Sequence, residues 1–288
     1  QKTAYEIYQC DWSSDVCSSD LRAMVAYGSA RGAVCVVPHT PRSVVVAPDG
    51  TQAVHHEWPR PIVLELPYGE TGAVAWSNGI TRWPHAETPY LMYRVAAEDE
   101  PQIVELPFRP AVGAWWNGRL YLGCLPGGIG SWTGLASWAP GEAPRQEYEG
   151  PALFDIEPDA DSLILHPRTL APSGAIVRDV AAPRLRWYPD GRCEPIGAGA
   201  HGPRGGQAMT SGWSATSCPE SDLVLVDGPR GSIALTCYWP QRVAWIGRSL
   251  LVSTVDWDVL LFEDVMDHVE ALAGGPARLS DGRHPDAA

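Results

Sequence analysis

One segment of the chain recurs at a spacing of forty residues, and this repeat constrains the fold more than any other feature. The segment VLELPYGETGAVAWSNG (63–79) resembles IVELPFRPAVGAWWNG (103–118). The shared Glu-Leu-Pro-aromatic tetrapeptides begin at Glu65 and Glu105. Internal repeats of about this length are typical of proteins in which similar supersecondary units stack on one another. The sequence therefore predicts a tandem array of similar units.

Each unit is predicted to contain four short antiparallel strands. Asn-Gly dipeptides at 78–79 and 117–118 mark tight hairpin turns between apolar runs. A second hairpin follows in later units, for example in LRWY-PDG-RCEPI. Four strands in 40–50 residues is the period of a β-propeller blade. We expect an all-β propeller of at least five four-stranded blades, and six or more in the intact protein, at 33–68, 73–108, 113–149, 152–197 and 213–246.

The pattern resembles the broad β-propeller superfamily, in the neighbourhood of WD-repeat and TolB-like propellers. Pro-Asp-Gly turns at Asp49-Gly50 and Asp190-Gly191 and the recurrent aromatic residues of the strands carry this resemblance, which covers most of 33–263. The Gly-His and Trp-Asp pair of WD repeats does not recur. The resemblance implies a fold and no particular activity, because propellers support many functions.

The first 21 residues resemble translated sequencing-adapter DNA. Asp11–Leu21 can be encoded by the indexing adapter of short-read libraries, and Gln1–Ile7 by the outer primer, in the same frame and order. Lys2, the only lysine of the chain, lies in this segment. Such segments are excluded from reasoning about the fold. The predicted organisation is a non-native, disordered segment over 1–21, an N-terminally truncated propeller over 22–263, a short helix over 264–272 and a disordered tail over 273–288.

Charge and cysteine content exclude several functional classes. The chain has 21 Lys and Arg against 34 Asp and Glu, a net charge of -13, which argues against nucleic acid as a partner. We expect no membrane span, because no apolar run approaches about 20 residues. The five cysteines of 22–288 show no paired spacing, which argues against a disulfide framework or a structural zinc site. With the true N-terminus missing the compartment stays open, and reduced thiols favour the cytoplasm.

The longer loops predict which end of the propeller carries function. In a propeller, the second-to-third and blade-to-blade loops lie on one face, and the remaining hairpins lie on the other. Binding residues concentrate on loops that a rigid scaffold holds. Here the loops assigned to the first face are longer and richer in polar residues than the short hairpins, which are expected to be structural. The candidate ligand-binding residues are His85, Glu87, Trp132, His166, Arg168, His201, Arg204, Asp227 and Arg230.

Motifs of catalysis and cofactor binding are not satisfied. Gly197, Gly199 and Gly202 have the spacing of the dinucleotide-binding fingerprint. The Pro203 and glycines that follow prevent the helix that the fingerprint requires. His55 and His56 have the chemistry of metal ligands, yet neighbouring strand residues point to opposite faces. We therefore predict no catalytic residue, no cofactor and no metal.

Two functions from different classes follow. The first is a non-enzymatic recognition or scaffold propeller that binds a protein or a small ligand on its long-loop face. The alternative is a propeller hydrolase, lactonase-like or acting on glycosides, with carboxylates or a metal on the axis. The repeat places Glu65 and Glu105 at the outer edge of their blades, which disfavours the second function. Three or more acidic or histidine side chains converging at the channel mouth would favour the enzyme.

Overall fold

A computed structural model describes residues 23–29, 31–37, 40–49, 51–77, 80–82, 85–86, 88–125, 132–167, 183–197, 206–255 and 258–274. Their strands form five four-stranded sheets, one three-stranded sheet and a separate two-stranded hairpin. Within each blade, antiparallel strands follow one another outward from the ring centre. The protein is therefore a six-bladed β-propeller, which confirms the predicted all-β fold.

The first three blades have four strands each, and blade 2 has an additional hairpin between its second and third strands. They contain β1 (Met24–Ser29), β2 (Gly32–Val36), β3 (Thr40–Val46) and β4 (Gln52–Ile62); β5 (Leu64–Tyr68), β6 (Gly72–Ser77), the hairpin β7 (Ile80–Arg82) and β8 (His85–Ala86), β9 (Tyr90–Arg94) and β10 (Gln102–Glu105); and β11 (Arg109–Trp116), β12 (Arg119–Leu125), β13 (Gly134–Trp138) and β14 (Arg145–Tyr148).

The remaining blades have four, four and three strands in the described residues, and a helix follows the last strand. They contain β15 (Leu153–Pro158), β16 (Leu163–Pro167), β17 (Arg184–Trp187) and β18 (Cys193–Gly197); β19 (Gly206–Thr210), β20 (Trp213–Cys218), β21 (Leu223–Gly228) and β22 (Gly231–Thr236); and β23 (Pro240–Ile246), β24 (Ser249–Thr254) and β25 (Val259–Phe262), followed by α1 (Val265–Gly274).

The second strand of a blade is covered on both faces by the neighbouring blades. Strands β2, β6 and β16 are buried at every residue, whereas the outermost strands β10 and β14 are exposed or half-buried. The covered strands therefore read as continuous apolar runs such as GAVAWS, without the polar alternation of a half-solvated strand.

The cores lie between the blades, where large aromatic rings fill the space between two sheets. Trp76 of blade 2 shares a buried cluster with Leu120 of blade 3. Trp138 of blade 3 meets Tyr93 of blade 2 edge-on at 4.9 Å between ring centroids. Because each sheet is too thin to bury its own faces, each blade depends on its neighbours for its core. The buried tryptophans therefore have a structural role between the blades.

Blade 6 packs against blade 1 and closes the ring. Val25 and Cys35 of blade 1 share a buried cluster with Ala244, Ile246 and Leu251 of blade 6. The described strands thus form a closed ring of six blades, in agreement with the expectation of six or more.

The C-terminal helix covers the outside of this last part of the ring. Val265, Met266 and Val269 of α1 join the core shared by blades 5 and 6. The helix runs to Gly274, two residues beyond its predicted end. Residues 1–21 and 275–288, which include most of the predicted tail, lie outside the described residues. No helix of the described chain is long and apolar enough to cross a membrane.

The predicted blade limits hold for two blades and are shifted for the others. The ranges 113–149 and 152–197 match blades 3 and 4, but the repeat predicts β5 as the last strand of the first blade, whereas β5 is the innermost strand of blade 2. In the same way, β23 is the innermost strand of blade 6. Only Val63 separates β4 from β5, so no turn residue marks this boundary in the sequence.

Candidate functional site

The six innermost strands surround a cavity of about 890 Å³ on the axis of the ring. Its polar lining comes from four blades and combines two carboxylates, a guanidinium and three hydroxyl groups. These residues are Tyr27, Ser29, Asp155, Glu157, Thr210 and Arg242. Most of the lining lies in the second halves of the innermost strands, so the cavity lies towards the end of the ring with the first-to-second hairpins. The short-hairpin end, predicted to be structural, therefore contains a cavity.

Asp155 and Arg242 bring opposite charges together in the cavity. The Arg242 Nη1 atom lies 3.9 Å from Asp155 Oδ1, and both side chains are mostly buried. Burial lowers the pKa of Arg242, and the charge of Asp155 opposes this shift. The pair links blade 4 to blade 6 across the axis.

A backbone irregularity places these side chains. The strand register shifts between Leu153 and Asp155 and between Pro240 and Arg242. The same shift precedes Tyr27 in blade 1. A β-bulge bends the strand and changes the direction of the following side chain. In three blades, therefore, a β-bulge in the innermost strand precedes a polar residue that lines the axial cavity.

His166, one of the candidates from the sequence, lies directly behind this cavity. It is fully buried on β16, and its Nε2 atom lies 3.5 Å from Glu157 Oε2. His166 was a candidate because it lies next to a predicted loop. In the structure it instead contacts Glu157, a residue that lines the cavity. Trp115 and Trp245 also line the cavity, and the Trp245 ring packs edge-on against Trp213 in the core between blades 5 and 6.

The other described candidates have different surroundings. Trp132 is half-buried and stacks on Phe108, with 5.3 Å between ring centroids. Asp227 is exposed and accepts a 2.6 Å hydrogen bond from Ser232. Asp227 and Arg230 belong to the turn between β21 and β22, a third-to-fourth hairpin. Their predicted place on the long-loop face is therefore wrong, because blade 5 begins one strand earlier than the repeat indicates.

The remaining candidates cannot be placed in a site. Glu87, Arg168, His201 and Arg204 lie outside the described residues, and His85 belongs to the short strand β8. The sequence also predicts loops of the long-loop face at 84–89, 126–134, 167–174 and 197–211. The first three come after second strands. The fourth is partly wrong, because Gly206–Thr210 form β19, the innermost strand of blade 5. The part of these loops in binding stays a prediction.

A second polar cluster, which the sequence analysis missed, lies between blades 1 and 2. Its centre is Glu65, which is fully buried on the innermost strand β5. The expectation that Glu65 lies at the outer edge of a blade is wrong, because the blade boundary falls before this residue. Glu105, its partner in the repeat, does end the outermost strand β10 and is exposed.

Four side chains converge on the Glu65 carboxylate. The His56 Nδ1 atom donates to Oε1 at 2.9 Å, and the Tyr27 hydroxyl donates to the same oxygen at 3.2 Å. The Trp58 indole donates to Oε2 at 2.8 Å. His55 Nε2 lies 3.9 Å from Oε1 and 3.2 Å from the Tyr27 hydroxyl oxygen. The ligand atoms of both histidines and Glu65 all lie within 4.8 Å of one another.

A bulge in β4 brings the two histidines to the same carboxylate. Ser43 pairs with His56, but the next residue, Val44, pairs with Val54, so His55 is the additional residue. The two imidazole rings lie 4.0 Å apart between centroids. The expectation that they point to opposite faces is wrong, because the strict alternation of a strand fails at a bulge.

The electrostatics of the cluster favour an ionised Glu65 and a neutral His55. Burial alone would raise the pKa of Glu65, but the hydrogen bond and charge of His56 and the indole of Trp58 bring it below its usual value. Burial, and then the neighbouring His56, lower the pKa of His55. Burial, followed by the charge of Glu65, raises the pKa of Tyr27.

Comparisons with known proteins define the fold and leave the family open. No protein-family model matches the chain, and no curated protein does. Among solved structures, a gluconolactonase from Xanthomonas campestris is 13% identical, with a TM-score of 0.55, over 83% of this chain and 85% of that one. Virginiamycin B lyase from Staphylococcus aureus is 10% identical, with a TM-score of 0.51, over 86% and 97%. Regucalcin from Agrobacterium tumefaciens, a calcium-binding protein, is 14% identical, with a TM-score of 0.51, over 87% of each chain.

Proposed function

We propose that this propeller recognises a small, polar, hydroxyl-rich ligand in its axial cavity. The observation that carries this proposal is the lining of the cavity, in which Asp155, Glu157 and Arg242 lie together with the hydroxyl side chains of Tyr27, Ser29 and Thr210. A volume of about 890 Å³ lies in the usual range of small-molecule sites. Carboxylates, a guanidinium and hydroxyl side chains bind the hydroxyl groups of a ligand through directed hydrogen bonds.

The arrangement of charges favours recognition over catalysis. The two acidic residues of the cavity come from the same strand, β15, and so do not face each other from opposite sides of a substrate, as glycoside hydrolysis requires. Arg242 stands beside Asp155, and its positive charge disfavours a cation there. Among the described residues, the convergent set of acidic and histidine ligands lies at Glu65 and not in the cavity lining.

A lactone-hydrolysing enzyme is the second candidate function. The gluconolactonase from Xanthomonas campestris has the same overall fold, and the cavity of this chain does contain carboxylates. Recognition by the long loops, and a closer relationship to WD-repeat or TolB-like propellers, are likewise predictions from the sequence.

A binding panel tests the proposal. The full chain is titrated with monosaccharides, disaccharides, polyols and aldonolactones by calorimetry, and acid release from the lactones is followed by pH-stat. We expect saturable binding of at least one polyol or sugar, at least tenfold weaker in Asp155→Asn. Asp161→Asn, an exposed aspartate in the turn of the same blade, is the matched control and should bind like the parent.

Two results would overturn the proposal. Catalytic release of acid from a lactone would establish the enzyme instead. The absence of binding across the panel, or equal loss of binding in Asp155→Asn and Asp161→Asn, would remove the axial cavity as the binding site.

A further inference from the structure

We propose that His55, His56 and Glu65 form a binding site for a transition-metal ion, with Zn²⁺ the best match, between blades 1 and 2. The proposal is independent of what the axial cavity binds. It rests on the three ligand atoms that lie within 4.8 Å of one another and on the way the surrounding residues orient them.

The distances between the ligand atoms are close to those that zinc requires. Ligands at the usual Zn–N and Zn–O distances are separated from one another by about 3.4 Å in a tetrahedral site. Here Glu65 Oε1 lies 2.9 Å from His56 Nδ1 and 3.9 Å from His55 Nε2. The two values lie on either side of the required separation. The two imidazole nitrogens lie no more than 4.8 Å apart, so binding would need side-chain shifts of about an ångström and no rearrangement of the backbone.

The carboxylate of Glu65 is already oriented towards the histidines. An indole N–H can only donate, so Trp58 holds Oε2 and leaves Oε1 directed at both imidazoles. Arg94 in turn lies over the Trp58 ring, 4.5 Å from its centroid, and donates to the carbonyl oxygen of Glu57. Outer partners of this kind are what hold metal ligands in their binding orientation.

The second histidine distinguishes this cluster from an ordinary buried hydrogen-bond network. His56, Trp58 and Tyr27 already satisfy the Glu65 carboxylate. A bulge is nevertheless present in β4, and it brings the His55 imidazole to the same oxygen at a largely buried position. Bulges next to functional sites commonly redirect a side chain in this way. A metal ion gives the additional imidazole a role beyond its hydrogen bond with the Tyr27 hydroxyl.

Tyr27 places the proposed site next to the axial cavity. Its hydroxyl oxygen lies 3.2 Å from both His55 Nε2 and Glu65 Oε1, and its side chain lines the cavity. The fourth position of a tetrahedral ion would be occupied by this hydroxyl or by a water molecule beside it. His55, with 24% of its side chain exposed, leaves a path for the ion to enter.

The ligand set selects the kind of ion. Two imidazole nitrogens and one carboxylate oxygen suit zinc and its neighbours in the first transition series. Calcium and magnesium prefer six or more oxygen ligands. We therefore expect binding of Zn²⁺ and Co²⁺ and no competition from Ca²⁺ or Mg²⁺.

Metal titration of the chelator-treated full chain tests the proposal. Calorimetry with ZnCl₂ should show one ion per chain, and Co²⁺ should give the intense visible absorption of a four-coordinate site. His55→Ala should weaken Zn²⁺ binding at least tenfold and remove the Co²⁺ absorption. His268→Ala, on the distant helix α1, is the matched control and should bind like the parent.

The variants keep the test independent of folding. Glu65→Gln should also abolish binding, but the residue is fully buried and its loss can unfold the chain, so folding is verified by circular dichroism. His55 is partly exposed, and its variant is expected to fold. Absence of stoichiometric Zn²⁺ binding to the folded parent, or equal affinity in His55→Ala, would overturn the proposal.

Discussion

Two interfaces between neighbouring blades both contain an apolar cluster, and they differ in the groups that lie beside it. Between blades 3 and 4, Trp187 meets Trp116 edge-on at 6.4 Å and Tyr121 at a tilt at 5.6 Å between ring centroids, inside an apolar cluster. Between blades 1 and 2, a fully buried carboxylate, Glu65, lies among histidine, indole and phenol groups. The packing of sheet on sheet is the same in both places.

The difference shows which interface is built for stability alone. Aromatic side chains that meet between blades bury apolar area and so stabilise the propeller. A buried charge stabilises a fold little compared with well-packed apolar residues, since its desolvation offsets most of the attraction to its partners. The polar interface is therefore the place where a function beyond stability is expected, and the apolar interface is the reference against which to test it.

The largest expected effect comes from opening the apolar interface. Trp187→Ala removes a side chain that is 2% exposed and should lower the free energy of unfolding by about 4 kcal/mol, because a cavity replaces the lost contacts. Urea denaturation followed by circular dichroism measures this loss. Trp132→Ala, at a half-buried ring, should lose less than half as much. Equal losses in the two variants would show that the blade 3–4 interface is not a main source of stability.

Loss of the buried Glu65 carboxylate should lower the free energy of unfolding less than loss of Trp187 does, and the effect should depend on pH. Glu65→Gln should lower the free energy of unfolding by about 2 kcal/mol at pH 7, because hydrogen bonds to a charged acceptor become neutral ones. The pKa of Glu65 is held below its usual value in the fold. Its contribution is therefore present above its ordinary pKa and is lost as the pH falls through the folded value.

The difference in unfolding free energy between parent and Glu65→Gln should consequently shrink on acidification. Urea titrations at several pH values between 7 and about 3 measure it. A difference that stays constant or grows as the pH falls would contradict the ionised state of Glu65 in the fold.

The smallest effect is expected at the exposed pair next to the cluster. Arg42 Nε lies 3.1 Å from Glu57 Oε1, with more than half of each side chain exposed. This cross-strand pair directly precedes the Ser43–His56 pair of the same strands. Arg42→Ala should change the free energy of unfolding by less than about 1 kcal/mol, since solvent screens exposed ion pairs. A loss as large as that of Glu65→Gln would mean that the outer face of β4 also stabilises the ring.

Local signals in the sequence predicted the individual hairpins well. Asn117 and Gly118 form the predicted turn between β11 and β12, both with positive φ. The blades predicted at 113–149 and 152–197 do end with the last strands β14 and β18. These predictions depend on short-range backbone geometry, which turn residues determine wherever they occur.

The forty-residue repeat did not predict whether a strand is the innermost or the outermost strand of its blade. Glu65 and Glu105 share a tetrapeptide, yet one is buried on an innermost strand and the other exposed on an outermost strand. Strands of equal length and pattern look alike in sequence wherever they lie in a sheet. Because β5 was assigned to the wrong blade, the cluster around Glu65 was not predicted. The residues that meet there come from three strands of two blades.

The amino-acid sequence alone was enough to determine the all-β class and the recurring four-stranded unit, since strand periodicity and turn chemistry act over a few residues. Only the tertiary structure decided where each blade begins, how many blades close the ring and which side chains share a site. Those properties depend on contacts between residues far apart in the chain and on single-residue bulges. No local sequence pattern marks such contacts or such bulges.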